Sequence, residues 1–233
     1  MVRHTVIAID GPAGAGKSTL ARRVAGRLGF LYIDTGAMYR AAALQALRAG
    51  ADPGDPAAVL PLLPGTEIDF TPEGKTLLNG EDVSAAIRAP EASQAASKIS
   101  AIPAVRRALV RQQQRIGSLR PVVMEGRDIG TVVFPGAQVK IFLDAELAER
   151  VRRRVEDLRG QGRNPDPAEV EREMSERDSR DSSRTDSPLR PAADAVRVDS
   201  TSLSPGGVEE EILRIYRLKT QSANIQEGKE SSS

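Results

Sequence analysis

Apolar, β-branched runs alternate along the chain with stretches whose apolar residues recur every three or four positions. Thr5-Val-Ile-Ala-Ile9 has no polar interruption, as a strand buried on both faces requires. Similar runs stand at 121–125, 139–143 and 195–198, with a shorter one at 30–33. After the first run, Leu20, Val24 and Leu28 repeat at four-residue intervals and predict a helix with one apolar stripe. Further stripes are Ala37, Ala41, Leu44 and Leu47; Leu147, Val151, Val155 and Leu158; and Val208, Ile212 and Ile215. Ser204-Pro205 supplies an N-cap and first turn for the last of these. Strands alternating with helices predict an α/β fold with a mainly parallel five-stranded sheet flanked by helices. Such a sheet binds ligands beyond the carboxyl ends of its strands. Asp10, Asp34, Glu125 to Asp128 and Asp144 fall there.

Residues 51–65 break this rhythm with Asp-Pro-Gly-Asp-Pro and Pro-Leu-Leu-Pro-Gly. Short strand-like pieces follow, separated by a Pro-Glu-Gly turn and by Asn79-Gly80, a dipeptide that favours a tight hairpin. They predict a small antiparallel insert of about three strands, followed by helical material from about 91 to 117. The polar tail from Gln221 on is expected to fray.

Between the first strand and its helix stands Gly11-Pro-Ala-Gly-Ala-Gly-Lys-Ser18, which fits the phosphate-cradling pattern G-x-x-x-x-G-K-[ST]. The order strand, glycine loop, helix is the context this motif needs. Gly11, Gly14 and Gly16 let successive N–H groups point inward, and the helix N-terminus adds its positive dipole end. Lys17 brings a point charge to β- and γ-phosphates, and the Ser18 hydroxyl can ligate Mg²⁺.

The 233 residues suffice for one large α/β domain with insertions. A net charge of +1 gives no electrostatic case for a nucleic-acid or membrane partner. Cysteine is absent, which removes disulfides, thiolate chemistry and cysteine-bound zinc and suits a reducing cytoplasm. His4, at the N-terminus, is the one histidine and is expected in solvent rather than in catalysis. No run of 18 or more apolar residues and no signal-peptide pattern occurs, so a cytoplasmic, soluble protein is expected.

Three segments add candidate chemistry. Asp34-Thr-Gly-Ala-Met-Tyr-Arg40 places Arg40 one turn beyond a glycine bend, where it can clamp an anion or stand exposed on a capped helix. Glu125-Gly-Arg-Asp-Ile-Gly-Thr-Val-Val-Phe-Pro-Gly136 puts Arg127 and Asp128 at the ligand-binding edge, either as site residues or as an ion pair tying a loop. On the helix from 144 to 160, Arg154 projects beside the apolar stripe with Arg150 one turn earlier. Such an arginine needs an anionic partner or a long snorkel. In 176–184, Arg177, Arg180, Asp181 and Arg184 share one helical face, which reads as a solvated stripe of ion pairs or as a wall of guanidiniums facing polyphosphate.

Together these segments resemble the bacterial cytidylate (CMP) kinase family of the nucleoside monophosphate kinases. Ile-Asp-Gly-Pro-Ala-Gly-Ala-Gly-Lys-Ser, Asp-Thr-Gly-Ala-Met-Tyr-Arg, Gly-Arg-Asp-Ile-Gly-Thr-Val-Val-Phe-Pro, Lys-Ile-Phe-Leu-Asp-Ala, Glu-Arg-Asp-Ser-Arg-Asp and Pro-Ala-Ala-Asp-Ala occur in that family's order from about residue 5 to 202. The resemblance implies a P-loop NTPase core (1–35, 118–154 and 170–220), a monophosphate-binding region with its insert (36–117) and a lid at about 155–169, in a single domain ending near residue 220. It implies transfer of the γ-phosphoryl group of ATP to CMP or dCMP, with Mg²⁺. By matching position, Gly11, Pro12, Ala13, Gly14, Ala15, Gly16, Lys17, Ser18 and Thr19 hold ATP, with Arg150 and Arg154 as the lid-side pair. Thr35, Arg40, Ser97, Arg106, Arg127, Asp128, Arg177, Asp181 and Arg184 surround the monophosphate. Lys17, Arg127, Arg154 and Arg177 carry the catalytic charge, and Ser18 is the metal ligand. Position 35, commonly Ser in that family, is Thr here, which keeps the hydroxyl and adds a methyl. A monomer is expected.

The residues fit that chemistry. A site selecting cytosine over uracil needs an acceptor near the C4 amino group, which Asp128 or Thr35 can supply. Arg106, Ser97 and Arg184 suit the ring acceptors, and groups left unpaired against the wrong base provide discrimination. A phosphate monoester is already anionic, so no general base is required. Two alternatives compete: a small-molecule alcohol kinase of shikimate or gluconate type, with Asp34 as base, and a nucleotide-dependent switch. The absence of Asn-Lys-x-Asp weakens the latter.

Overall fold

The computed structural model describes residues 4–230, with side chains described as far as Gln221. The chain runs β1 (Val6–Asp10), α1 (Lys17–Leu28), β2 (Leu31–Asp34), α2 (Thr35–Arg48) and the short α3 (Pro56–Val59). The insert follows as β3 (Ile68–Phe70), β4 (Thr76–Leu78) and β5 (Glu81–Asp82), then α4 (Pro90–Ile99) and α5 (Pro103–Leu119). The remainder is β6 (Val122–Gly126), β7 (Val139–Asp144), α6 (Leu147–Gly160), α7 (Pro167–Ser183), β8 (Val196–Asp199) and α8 (Pro205–Glu230).

The five-stranded sheet has the order β2-β6-β1-β7-β8, and every pairing is parallel. Period-two alternation explains how it is covered. Val6 and Ala8 of β1 point to a core shared with α2, α4, α5 and the insert, whereas Ile7 and Ile9 point to one shared with α1 and α8. A strand buried on both faces must be apolar throughout, and β1 is. The register sets Asp10 beside Gly126 and Asp34 beside Glu125, so the polar ends of β1, β2 and β6 form one edge.

The insert is a separate three-stranded antiparallel sheet in the order β3-β4-β5. Asn79 and Gly80 both take positive φ, 52° and 84°, as the tight hairpin between β4 and β5 demands. The helical stretch beyond it is two helices, because Pro103 cannot continue a helix and starts α5 instead.

Three expectations need correction. In α2 the buried apolar positions are Ala37, Met38, Ala41, Ala42, Ala43 and Ala46, while Leu44 is half-buried and Leu47 is exposed. Alanines on the inner face let α2 approach its neighbours more closely than leucines would. Arg154 is exposed rather than held within the apolar sector. That sector is narrow: Val151, Val155 and Leu158 meet Val170 and Met174 of α7, and residue 154 falls at its rim. The expected frayed tail does not begin at Gln221, since α8 continues to Glu230. No proline follows Pro205, so each added residue extends the hydrogen-bond ladder. Residues 231–233 lie outside the described residues.

Among the described residues no helix is long and apolar enough to cross a membrane.

One buried carboxylate ties the glycine loop's strand to the segment after β6. Asp10 accepts from the amides of Ile129 and Gly130, both at 2.8 Å. Burial pushes its pKa up to about 6, with the two amides working against that rise. Asp10→Ala would leave both donors unpaired in the interior. We expect a loss of about 2–4 kcal/mol in urea unfolding, with the Ile129 and Gly130 amides losing hydrogen-exchange protection first. Unchanged protection there would contradict the assigned role.

Candidate active site

The phosphate loop sits where β1 ends. Gly11 lies against β7 so closely that a Cβ there would come within 2.0 Å of the Leu143 carbonyl oxygen. Only glycine permits that approach. Lys17, at the first turn of α1, is buried, and its ammonium donates to the Pro12 carbonyl at 2.6 Å. Burial lowers its basicity, and the charges of Arg127 and Arg177 lower it further, with Glu125 and Asp10 opposing them. Ser18 and Thr19 are exposed beside it.

The carboxyl edge gathers acids behind the loop. Glu125, buried at the end of β6, accepts from the Tyr32 hydroxyl at 2.7 Å, and the Ser18 hydroxyl lies within hydrogen-bonding reach of it. Burial and the nearby Asp34 charge push the Glu125 pKa up, and Lys17 offsets part of that. A cation beside Ser18 would relieve this carboxylate. The hard oxygen donors suit Mg²⁺, which takes its remaining ligands from water and phosphate. Among the described residues no group of three or more Asp, Glu, His or Cys could hold a metal ion.

Across the cleft, arginines from three elements converge on two aspartates. Arg127 Nε donates to Asp181 Oδ2 at 2.8 Å, and Arg184 Nη2 meets Asp181 Oδ1 at 2.5 Å. Both arginines hold the Asp181 carboxyl below its usual range despite its burial. Arg184 closes α7 from just beyond its last turn, so it reaches Asp181 without sharing the helix. Arg177 keeps solvent access but is crowded by protein on its other sides. That desolvation, then repulsion from Arg127, with Arg40 and Arg154 contributing, lowers its pKa to about 10. Arg154, though exposed, therefore stands within reach of the same cleft.

Arg106 and Asp128 form a buried pair, Nη2 to Oδ2 at 2.5 Å. The Arg106 guanidinium stacks over Tyr39 at 5.5 Å from the ring centroid, and its Nε has no hydrogen-bond partner within the protein. Thr35 is buried at the start of α2, and its hydroxyl donates to the Glu125 carbonyl at 2.7 Å. Arg40 donates to Asp34 Oδ2 at 2.8 Å, while Asp34 Oδ1 caps α2 at the Ala37 amide. Ser97 is exposed on α4 and meets Arg180 Nη1 of α7 at 3.4 Å, so the two sides of the cleft touch there.

Arg150, one turn before Arg154, is the arginine that is buried, and its anionic partner is Asp178 at 2.5 Å. Of the remaining polar groups, Tyr39 and Asp178 were not assigned from sequence, Arg180 was noted only as part of the 176–184 face, and Glu125 only for its place at a strand end. Tyr39 carries a usable signal, adjacent to Arg40 in the Asp34–Arg40 run. Asp178 stands in the Glu-Arg-Asp-Ser-Arg-Asp segment, but its pairing carries no local signal, because its partners lie 28 and 165 residues away.

Comparison with known proteins identifies the family. The family model for cytidylate kinase matches residues 7–218. A cytidylate kinase of Solibacter usitatus (strain Ellin6076) is 58% identical over 218 residues, covering 92% of this chain and 93% of that protein. A bifunctional pantoate ligase/cytidylate kinase of Synechococcus elongatus is 48% identical over 223 residues, and there the chain spans only 42% of its relative. Among solved structures, an uncharacterised protein from Eubacterium ventriosum shares the fold with a TM-score of 0.50 at 10% identity, covering 91% of this chain and 97% of that one. With a family model spanning almost the whole sequence and a relative of this identity, the chain belongs to the cytidylate kinase family.

Proposed function

We propose that this chain phosphorylates CMP and dCMP at the expense of ATP, giving CDP and dCDP. The observation that carries this reading is the convergence of Lys17 with Arg127 and Arg177, whose like charges add to burial in lowering the lysine's basicity. Cations crowd against one another at a cost, and two phosphate groups meeting tail to tail offset it.

In this reading Gly11 to Thr19 cradle the donor phosphates, with Lys17 as the mobile charge and Arg150 and Arg154 on the side of the α6–α7 hairpin. Ser18, backed by Glu125, would hold Mg²⁺, which when bound neutralises charge on the β- and γ-phosphates. Arg40, Arg127, Arg177, Asp181 and Arg184 surround the acceptor's phosphate and sugar, and Ser97 approaches from the opposite arm. Asp128, Thr35 and the unpartnered Nε of Arg106 supply the acceptor and donor pattern that a cytosine edge requires. The acceptor phosphate is its own anionic nucleophile, so the chain's task is alignment and charge neutralisation. Residues 155–169 act as the lid, whose closure excludes water and suppresses ATP hydrolysis. As part of the same proposal, the enzyme works as a cytoplasmic monomer without nucleic-acid or membrane partners, in line with its net charge of +1.

The alcohol-kinase alternative asks Asp34 to take a proton. Its two oxygens are committed to the α2 cap and to Arg40, which leaves that role unsupported.

An acceptor screen with Mg²⁺·ATP tests the assignment. CMP and dCMP should consume ATP far faster than UMP, AMP or shikimate, and turnover with shikimate but no nucleotide would overturn it. Lys17→Ala should lower kcat by roughly a thousandfold or more with an unchanged unfolding curve; near-normal kcat would refute its role. Asp128→Asn should raise KM for CMP and narrow the CMP-over-UMP preference by about tenfold. An unchanged CMP/UMP ratio would make Asp128 purely structural.

A further inference from the structure

Helix α7 carries a carboxylate that the acceptor chemistry does not use. Asp178 lies between Arg177 and Asp181 in sequence but reaches toward the phosphate loop. Its Oδ2 accepts from Arg150 Nη1 at 2.5 Å, and its Oδ1 accepts from the Ala13 amide at 3.4 Å. Arg150 Nη1 also donates to the Ala13 carbonyl at 3.0 Å, and its Nε donates to the Ala145 carbonyl at 2.9 Å. Ala13 is thus gripped at its N–H by a carboxylate and at its carbonyl by a guanidinium. Met174 closes over the same loop: a Cβ on Gly14 would come within 2.7 Å of Met174 Cε and 3.1 Å of Arg150 Cβ. The pair is largely withdrawn from water, with side-chain exposures of 9% for Arg150 and 20% for Asp178.

Amides of a glycine-rich phosphate loop are donors for phosphate oxygens, and a carboxylate bonded to one of them answers the same field with less charge. A polyphosphate approaching this loop meets that carboxylate as a like charge and competes with it for Arg150. We propose that Asp178 is a positioning residue of the donor site. It is an internal anion docked on Ala13 and Arg150 that the terminal phosphates of ATP displace, and it thereby sets how tightly ATP binds. The inference rests on the reading of Gly11 to Thr19 as the ATP cradle. It adds that helix α7 borders both substrates, with Asp181 turned to the acceptor and Asp178 to the donor.

Calorimetric titration of the full chain with Mg²⁺ and the non-hydrolysable analogue AMP-PNP, without CMP, tests it. Asp178→Asn keeps the size and one acceptor while removing the charge, and should bind AMP-PNP about fivefold tighter or more. CMP affinity should stay within about twofold, because the acceptor-side contacts are untouched. Asp178→Glu, with the charge restored on a longer stem, should return AMP-PNP affinity toward that of the unmodified chain. Unchanged or weaker AMP-PNP binding by folded Asp178→Asn overturns the proposal. If that variant does not fold, the unmodified chain decides by NMR. The ¹³C carboxyl signal of Asp178 should move with the Ala13 amide along the same AMP-PNP saturation curve, and a carboxyl signal unmoved at saturation overturns the proposal. An unmodified chain that binds no AMP-PNP would remove the donor-site reading beneath it.

Discussion

The molecule is organised around repulsion among cations at the carboxyl edge of its sheet. Lys17, Arg127 and Arg177 approach closely enough that each of the last two weakens the hold of Lys17 on its proton. Arg40 and Arg154 act on Arg177 in the same way. Such an assembly needs a rigid frame, because side chains left free would swing apart. The frame is a sheet buried on both faces, and its register aligns the ends of β1, β2 and β6. Carboxylates distributed among the arginines, with Asp181 between Arg127 and Arg184 and Asp128 against Arg106, hold the cluster together without neutralising it.

Under the proposed function, the two sides of the cleft differ in construction. The donor side is mostly backbone, a glycine loop pressed onto β7 and completed by one lysine. The acceptor side is mostly side chains on α2, α5, α7 and the segment after β6. A backbone cradle suits phosphate, which every nucleotide carries. Discrimination between bases needs fixed side-chain donors and acceptors, a role proposed for the Arg106–Asp128 pair over Tyr39, which lies in a buried setting where an unmet hydrogen bond is costly. The α6–α7 hairpin has its own small cluster of Val151, Val155, Leu158, Val170 and Met174, separate from both faces of the sheet. Five such side chains form a modest core, so the hairpin's seating depends heavily on polar contacts with the phosphate loop.

Much of this was legible before any coordinates. The uninterrupted run 5–9 reads as a strand buried on both faces, which β1 is, and the glycine loop after it carries the phosphate-cradling pattern. Asn79-Gly80 announced its hairpin because two consecutive positive φ values leave little other choice of residue. The stripe on α2 was misread because alanine is a weak hydrophobic signal, although it is what close helix packing selects. Arg150 and Arg154 look alike in sequence, yet one is buried and the other exposed, a difference set by Asp178 from another helix. The aspartate in that pair was invisible for the same reason, since long-range partners leave no local pattern. Glu125 was placed correctly by its strand end, but its link to Ser18 and Tyr32 depends on parallel register, which periodicity does not specify.

Under the proposed function, donor and acceptor phosphates meet over one shared cluster of Lys17, Arg127 and Arg177. A bisubstrate ligand, cytidine and adenosine joined through their 5′ positions by five phosphates, tests it most directly by calorimetry. Binding about a hundredfold tighter than CMP or ATP alone is expected, because one molecule then spans both halves of the cleft. Binding no tighter than the better single nucleotide would contradict it.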